Sequence, residues 1–418
     1  MSRQARMLPV VLMFGCAVGF VAARAVGAEE DPFAAAAKFE IGQSRAALDA
    51  VDALARASAS DPAKRKEIET KLLAILKSDA ATLHAKWFAC RELALVGGAD
   101  AVPVLAARLA ESDQQLGYMA RFALEQIPDI SASAALRDAL GKTKGRTLVG
   151  IVHSLGVRRD AASAPALAKL LADADAEVAA TAAASLGLIG GADATAALAA
   201  ARAAAPPAVK SAIEDALLTV ANRLVPEGKS GEATPILADL LANASTKHAR
   251  LGAFAGLVAA EGPKALPRVL DALGSDDVQL RQTALRLAET LPGAEATKAL
   301  ADKLAAAPPA AAVSLLEVLA ARGDRAASQA VLAAAQSQEP AVRLAALDAL
   351  GSLGDAATIP LLLGLAAKGQ GPERDAAVRG LARLKGAEID AALVAAMAGA
   401  DAPARVALVR ALEARGSR

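Results

Sequence analysis

A spacing of 31 residues runs through most of this 418-residue chain. An apolar residue recurs at this interval in two series, which one step of 40 residues separates. One frame therefore holds eleven units with a single insertion of nine residues. Such self-similarity is typical of repeat proteins, in which each unit contacts only its neighbours. These positions, here called the anchors, are Leu93, Leu124, Leu155, Leu186, Leu217, Leu257, Ala288, Leu319, Leu350, Leu381 and Leu412.

Turn and cap residues follow every anchor by five positions, and proline recurs ten positions after four anchors. Proline suits the first turn of a helix, where no N–H is needed. Each unit is therefore predicted to be two helices joined by a turn, with the anchor on the second helix. Because neither helix buries its apolar stripe alone, the predicted fold is an all-α solenoid (superhelix) of about eleven units. The turn residues are Gly98, Asp129, Asp160, Gly191, Asn222, Gly262, Gly293, Asp324, Asp355, Gly386 and Ser417; the prolines are Pro103, Pro165, Pro267 and Pro360; the first-helix core residues are Val269, Leu300, Val331, Leu362 and Leu393.

The composition favours helices as well. Hydrophobic residues make up 55% of the chain, which excludes disorder, while aromatic residues make up only 2%, which argues against a large β fold. The formal net charge of +1 provides no basic field for a phosphate backbone. We therefore expect no nucleic-acid partner.

Residues 341–366 (AVRLAALDALGSLGDAATIPLLLGLA) resemble the short bacterial HEAT repeats, also called phycobilisome-lyase-type HEAT-like repeats. The resemblance covers about residues 82–415 and implies a solenoid whose first helices are convex and whose second helices line a concave groove. HEAT units usually pair an arginine early in the second helix with an aspartate about six residues before it. This sequence departs from that ionic ladder, since those positions hold Ala244, Ser275, Ser337, Lys368 and Gly399.

Residues 1–28 have the pattern of a secretory signal peptide: a basic start, an apolar stretch at residues 7–22, and small residues before a predicted cut at Glu29. We expect an exported protein, periplasmic or extracellular, with no membrane span after cleavage. An uncleaved membrane anchor and a lipoprotein modified at Cys16 remain as alternatives.

Two further segments lie outside the frame. Residues 29–81 are predicted to be a polar N-terminal helical cap, with helices at 43–57 and 62–77. The repeats then occupy residues 82–418, and the insertion is predicted to be a loop near 223–232. This loop is either a tolerated surface excursion or a lid or docking loop.

Five arginines and two lysines stand seven residues before their anchors. Seven residues is two helical turns, which places them on the inward face. A cation near a helix N-terminus opposes the helix dipole, so an acceptor must offset it, and the nearest are the open carbonyl groups at the end of the preceding helix. We interpret this set, the cation ladder, as structural rather than as a ligand-binding stripe. Its members are Lys86, Lys210, Arg250, Arg281, Arg343, Arg374 and Arg405.

A second set, the ridge, lies two residues before the anchors, and its chemistry varies from unit to unit. A polar position between small or apolar ones is the solvent-facing side of the second helix, which in a HEAT-like stack looks into the groove. We predict that a partner contacts the protein here; an ordinary solvated helix face is the alternative. The ridge residues are Arg91, Phe122, His153, Asp215, Arg286, Glu317, Asp348, Arg379 and Arg410.

The remaining candidates are predicted to be structural. Trp87 and Tyr118 share one repeat position that later holds aliphatic residues, so we expect both to point inward; an aromatic binding hot spot is the alternative. Cys90 is expected to be a small buried residue rather than a nucleophile assisted by His84. Zinc, haem and P-loop spacings are missing, as are the paired His-Glu motifs of the HEAT-type di-iron hydroxylases, so neither a cofactor nor a metal is expected.

These patterns lead to one main hypothesis: an exported, non-enzymatic scaffold that binds a protein or peptide through its groove. One alternative is a lyase-like or chaperone-like accessory protein resembling the HEAT-type phycobilin lyases. Another is a purely structural envelope scaffold.

Overall fold

The computed structural model describes residues 31–416, and this part of the chain contains helices and no strand. The predicted signal peptide (residues 1–28) and the last predicted turn residue, Ser417, lie outside the described residues. The α-helices are α1 (Pro32–Ala36), α2 (Ala46–Ala57), α3 (Pro62–Lys77), α4 (Leu83–Val96), α5 (Ala101–Ala106), α6 (Gln114–Gln126), α7 (Ile130–Leu140), α8 (Gly145–Val157), α9 (Ala164–Leu170), α10 (Ala176–Ile189), α11 (Gly191–Arg202), α12 (Pro207–Leu224), α13 (Ser230–Asn243), α14 (Lys247–Glu261), α15 (Leu266–Leu273), α16 (Val278–Thr290), α17 (Ala294–Leu304), α18 (Pro309–Arg322), α19 (Ser328–Ala334), α20 (Pro340–Leu353), α21 (Ile359–Lys368), α22 (Gly371–Arg383), α23 (Ile389–Ala396) and α24 (Ala402–Arg415). Short 3₁₀ helices lie at Ala161–Ser163, Gly262–Ala265, Arg325–Ala327 and Ala356–Thr358.

The chain divides inside α7 into two compact parts, called unit 1 (up to Ala135) and unit 2 (from Leu136 onward). These two parts each contain several repeat units and are described separately. Every anchor lies on a second helix, the even-numbered helices from α4 to α24. In unit 2, each second helix from α8 to α24 packs on the next, and those from α10 onward also pack on the first helix before them. The prediction of an all-α solenoid of helix pairs is confirmed.

Burial follows the repeat frame. Ten of the eleven anchors are at most 3% exposed, and Leu412 is half-buried. The five predicted first-helix core residues, from Val269 to Leu393, are fully buried. Short polar side chains set the starts of many helices, as where Asp61 accepts hydrogen bonds from the backbone N–H groups of Ala63 and Lys64 at 3.1 Å.

The N-terminal segment differs in part from its prediction. Helix α3 has the predicted bounds, but α2 begins at Ala46 rather than at residue 43, and α1 was not predicted. Helix α3 also packs directly on α4, with Leu72 and Leu76 fully buried. This helix, assigned to the cap, is therefore the first helix of the first pair.

The predicted loop at 223–232 is wrong in extent, and Asn222 lies inside a helix rather than in a turn. Helix α12 continues to Leu224 and α13 begins at Ser230, so most of the insertion lengthens two helices. The apolar stripe of α12 continues through the buried Val220 and Ala221. Beyond it, Arg223 donates to the carbonyl oxygens of Leu188 at 2.7 Å and Ile189 at 3.3 Å, which holds the extra turn against α10.

Small residues let some second helices approach closely. A Cβ added to Gly156 of α8 would lie 2.7 Å from the Cα of Ser185 of α10. A Cβ added to Gly187 of α10 would likewise lie 2.9 Å from the Cα of Ala216 of α12. In each pair, the residue directly after one anchor faces the residue directly before the next anchor. Small residues at these two positions therefore allow the short distance between these helices.

We predict that Gly156→Ala lowers the free energy of unfolding by about 1–3 kcal/mol, because the added methyl group overpacks the contact of α8 with α10. Gly364→Ala is the matched control, since Gly364 is also helical but a Cβ there meets nothing within 4 Å. The control should gain about 1 kcal/mol from helix propensity. Urea unfolding measures both, and equal gains would disprove the close approach.

Candidate functional site

The ridge lies on the accessible side of the second helices in both units. His153, Asp215, Arg286, Glu317, Arg379 and Arg410 are exposed, and Arg91, Phe122 and Asp348 are half-buried. The structure thus places most of the ridge residues where a partner can reach them.

Some ridge charges are neutralised within the protein. Arg379 donates to both carboxylate oxygens of Asp348, from Nε at 3.1 Å and from Nη2 at 3.0 Å, and so joins α20 to α22. This ion pair raises the pKa of Arg379, chiefly through the hydrogen bonds. Arg286, Glu317 and Arg410, by contrast, have no side-chain partner within residues 31–416. These three side chains are available for contacts with another molecule.

The cation ladder contacts backbone carbonyl groups. Arg250 donates to Ala244 O at 2.8 Å and Arg281 to Ser275 O at 2.5 Å, in each case the carbonyl six residues earlier. Arg343 donates from Nη1 to the carbonyls of Ser337 and Gln338 at 2.8 and 2.9 Å. Carbonyl acceptors are therefore present for three of the five ladder arginines, but only Ala244 caps the end of the preceding helix as predicted, whereas Ser275 and Ser337 lie in the loop beyond it.

Arg343 also forms an ion pair between neighbouring units that differs from the usual family pattern. Its Nη2 lies 2.6 Å and its Nε 3.1 Å from Oε1 of Glu373 on the next second helix. Four ladder members form neither a carbonyl contact nor an ion pair among the described residues. They are the exposed Arg374 and Arg405 and the half-buried Lys86 and Lys210.

A third set of arginines was missed by the sequence analysis. Arg322 and Arg415 each follow an anchor by three residues and are 93 residues, or three repeats, apart. Arg322 donates to the carbonyls of Leu291 at 2.7 Å and Gly293 at 3.1 Å, and Arg415 donates to Ala382 O at 3.1 Å. Burial lowers the pKa of Arg322. These residues satisfy the C-terminal carbonyls of the preceding second helix, and their shared repeat position is the signal that could have identified them.

The aromatic position does not behave as predicted. Tyr118 is 52% exposed, with Arg121 4.9 Å from its ring centre, so the expectation that it points inward is wrong. Trp87 is half-buried, and its Nε1 donates to Asp113 at 3.0 Å. The position lies at the edge of the buried stripe, since Val406 in the last unit is also 47% exposed and Leu251 and Leu344 are half-buried.

Cys90 is fully buried, as predicted, and burial raises the pKa of its thiol to about 12. His84 was the residue considered as a base for this thiol, but its ring is hydrogen-bonded to the carboxylate of Glu40 instead. It also packs edge-on against the ring of Trp87, with 4.7 Å between the ring centroids. The thiol is thus protonated and inaccessible at neutral pH.

Glu92 is a buried charge that is only partly compensated. Its side chain is fully buried, its Oε1 accepts hydrogen bonds from Arg91 at 2.6 and 2.8 Å, and its Oε2 has no partner among the described residues. Burial raises the pKa of Glu92, and the nearby charge of Asp52 acts in the same direction.

Residues 31–416 contain no group of three or more His, Cys, Asp or Glu side chains placed to hold a metal ion. None of the helices in this range combines the length and the apolar character that crossing a bilayer requires.

Comparison with known families identifies part of the chain. Residues 297–382 match the family of HEAT repeats. The prediction of HEAT-like repeats is confirmed for this stretch, which holds α18 and α20, whereas the phycobilisome-lyase type stays a prediction. No curated protein matches the sequence.

Several solved structures are similar to this chain at low sequence identity. The karyopherin Kap121p, bound to the extreme C-terminus of the protein phosphatase Cdc14p, is 13% identical with a TM-score of 0.47; the match covers 92% of this chain and 53% of Kap121p. This chain thus spans about half the length of Kap121p. Human deoxyhypusine hydroxylase, in complex with glycerol, is 22% identical with a TM-score of 0.29, and the match covers 61% of this chain and 96% of the hydroxylase. An engineered protein is 18% identical with a TM-score of 0.29, over 88% of this chain and 99% of its own.

We predict that Arg343→Ala lowers the free energy of unfolding by about 1–3 kcal/mol, because it frees two carbonyl groups and the Glu373 carboxylate. Arg374→Ala is the control, as it occupies the same repeat position on the next second helix but is exposed, and should change stability by about 0.5 kcal/mol or less. Chemical denaturation compares them. Equal losses would show that the carbonyl bonds do not matter.

We also predict that Glu92→Gln raises the melting temperature at pH 7, by about 2 °C. A carboxyl whose pKa is raised on folding binds more protons in the folded state, so it costs stability as the pH rises above its ordinary value of 4.5. The gain should therefore vanish near pH 4, where the Glu92 side chain of the folded wild type is protonated and so is as uncharged as the glutamine that replaces it. Glu67→Gln, on an exposed glutamate, is the control in melts from pH 4 to 8. A gain from Glu92→Gln that does not change with pH would contradict this explanation.

Proposed function

We propose that this protein is an exported, non-enzymatic scaffold that binds a protein or peptide partner along the ridge of its second helices. The observation that carries the proposal is the set of unpartnered charges at one repeat position, Arg286, Glu317 and Arg410, among the described residues. Nothing in the repeat frame requires charge there, because the same position holds Ala184 and Ala255 in other units.

The spacing of the ridge supports an elongated partner. Packed helices lie about 8–10 Å apart, and an extended chain advances about 3.3–3.6 Å per residue. Neighbouring ridge residues are thus about two to three residues of an extended peptide apart. Arg286 and Glu317 lie on successive second helices, so we expect them to contact positions of opposite charge that are about two to three residues apart in the partner.

Two further points support the non-enzymatic and exported parts of the proposal. The thiol of Cys90, the nucleophile that the sequence analysis considered, is buried and protonated. The pattern of residues 1–28 supports export, and N-terminal sequencing of secreted or periplasmic material tests it. A mature chain that begins at or near Glu29 is the expected result; a lipid-bearing start at Cys16 or an intact Met1 in membranes would disprove it.

We predict that Arg286→Glu and Arg410→Glu each weaken capture of the native partner about tenfold and change its salt dependence, while stability changes by about 0.5 kcal/mol or less. The partner is captured from the native cell envelope, identified by mass spectrometry and titrated against each variant. Lys264→Glu, the same charge change on an exposed 3₁₀ residue away from the ridge, is the control. Equal effects of all three variants would mean that only net charge matters and that the ridge is not the binding surface.

A further inference from the structure

A cleft opens between α16 and α18, apart from the ridge. It has a volume of about 600 Å³ and lies at the first turns of these helices and the ends of α15 and α17. Clefts of this size hold drug-sized ligands or a few peptide residues. Its apolar lining includes Leu273, Leu285 and Leu315, and Val278 at its edge is 55% exposed.

The charges of the cleft are unequal. Lys303 and Arg281 line it, against one acidic residue, Asp276. The ammonium group of Lys303 lies beside the backbone of Gly274, since a Cβ added there would be 3.9 Å from Nζ, and it has no ion-pair or hydrogen-bond partner within residues 31–416. Arg281 uses its Nη1 for Ser275 O, and its remaining donors have no partner in this range. Two cations with free donors beside an apolar floor complement a group that is both aliphatic and anionic.

We propose that this cleft binds an acidic segment of a protein partner, with an aliphatic side chain against Leu285 and Leu315 and a carboxylate beside Lys303 and Arg281. The inference rests on the proposed function and adds a second contact site with a defined chemistry. The recognition is electrostatic and apolar at once, so neither an uncharged aliphatic peptide nor a purely acidic one should bind as tightly.

The test is a selection of phage-displayed random octapeptides on the purified protein, followed by fluorescence-polarisation titration of the enriched peptides. The expected peptides contain Asp or Glu next to Leu, Ile or Val. Lys303→Glu should weaken their binding about tenfold or more. Its control is Lys298→Glu, which makes the same change on the exposed side of the same helix, where Lys298 pairs with Asp302, and binding should stay within about twofold.

A second variant keeps the test independent of charge and of folding. Ala310→Leu fills part of the cleft without changing its charge and should weaken the same peptides about as strongly; circular dichroism melts check that each variant is folded. Peptides that bind both variants as they bind wild type would overturn the inference. If those peptides were lost in Arg286→Glu instead, the ridge proposal would survive and the cleft proposal would fail. Enrichment of no peptide, or of basic ones, would also contradict the cleft proposal.

Discussion

Burial of the apolar stripe on each second helix is the constraint on which the rest of the structure depends. A helix pair exposes part of its stripe unless another pair lies against it, so the units of this chain stack rather than form a closed core. The anchors carry this burial: from Leu93 to Leu381 they are all at most 3% exposed, although one of them is an alanine. The residue types beside the anchors then decide how closely two second helices approach.

Stacking creates a second requirement, because every second helix ends with carbonyl groups that have no partner inside the helix. This chain meets it with arginine. Arg223, Arg322 and Arg415 reach back to the end of the preceding second helix, and ladder arginines such as Arg250 bond to the loop just before their own helix. Direct ion pairs between units, such as Arg343 with Glu373, supplement this pattern rather than replace it. At these positions arginine thus contacts carbonyl groups rather than the aspartate that the resemblance to HEAT repeats leads one to expect.

Much of this arrangement could be predicted from the sequence, because a buried stripe imposes a strict period. The anchors and the first-helix core residues follow from that period alone, whereas the bounds of α3, which lies outside the repeat frame, were predicted from its own local sequence. The errors arise where the period fixes less. Tyr118 occupies the edge of the stripe, where the period does not fix burial, since Val406 at the same repeat position is 47% exposed. Much of the insertion is helical, and the buried Val220 and Ala221 continue the stripe of α12. A break in the 31-residue spacing shows only that residues were inserted, and it does not distinguish a loop from a longer helix. Partners 30 or more residues away, such as those of Arg322, become visible only when the units are stacked.

Unit 2 holds its second helices together by two means, and these overlap in part of its length. In α8, α10 and α12, small residues bring the helix backbones close together. In α20 and α22 both means occur, since a Cβ added to Gly351 would lie 3.3 Å from the Cα of Gly380, while Arg343 at the ladder position bonds to backbone carbonyl groups. In α16 the ladder residue Arg281 uses only its Nη1 for a carbonyl group, so the rest of its guanidinium group remains available to a ligand in the cleft.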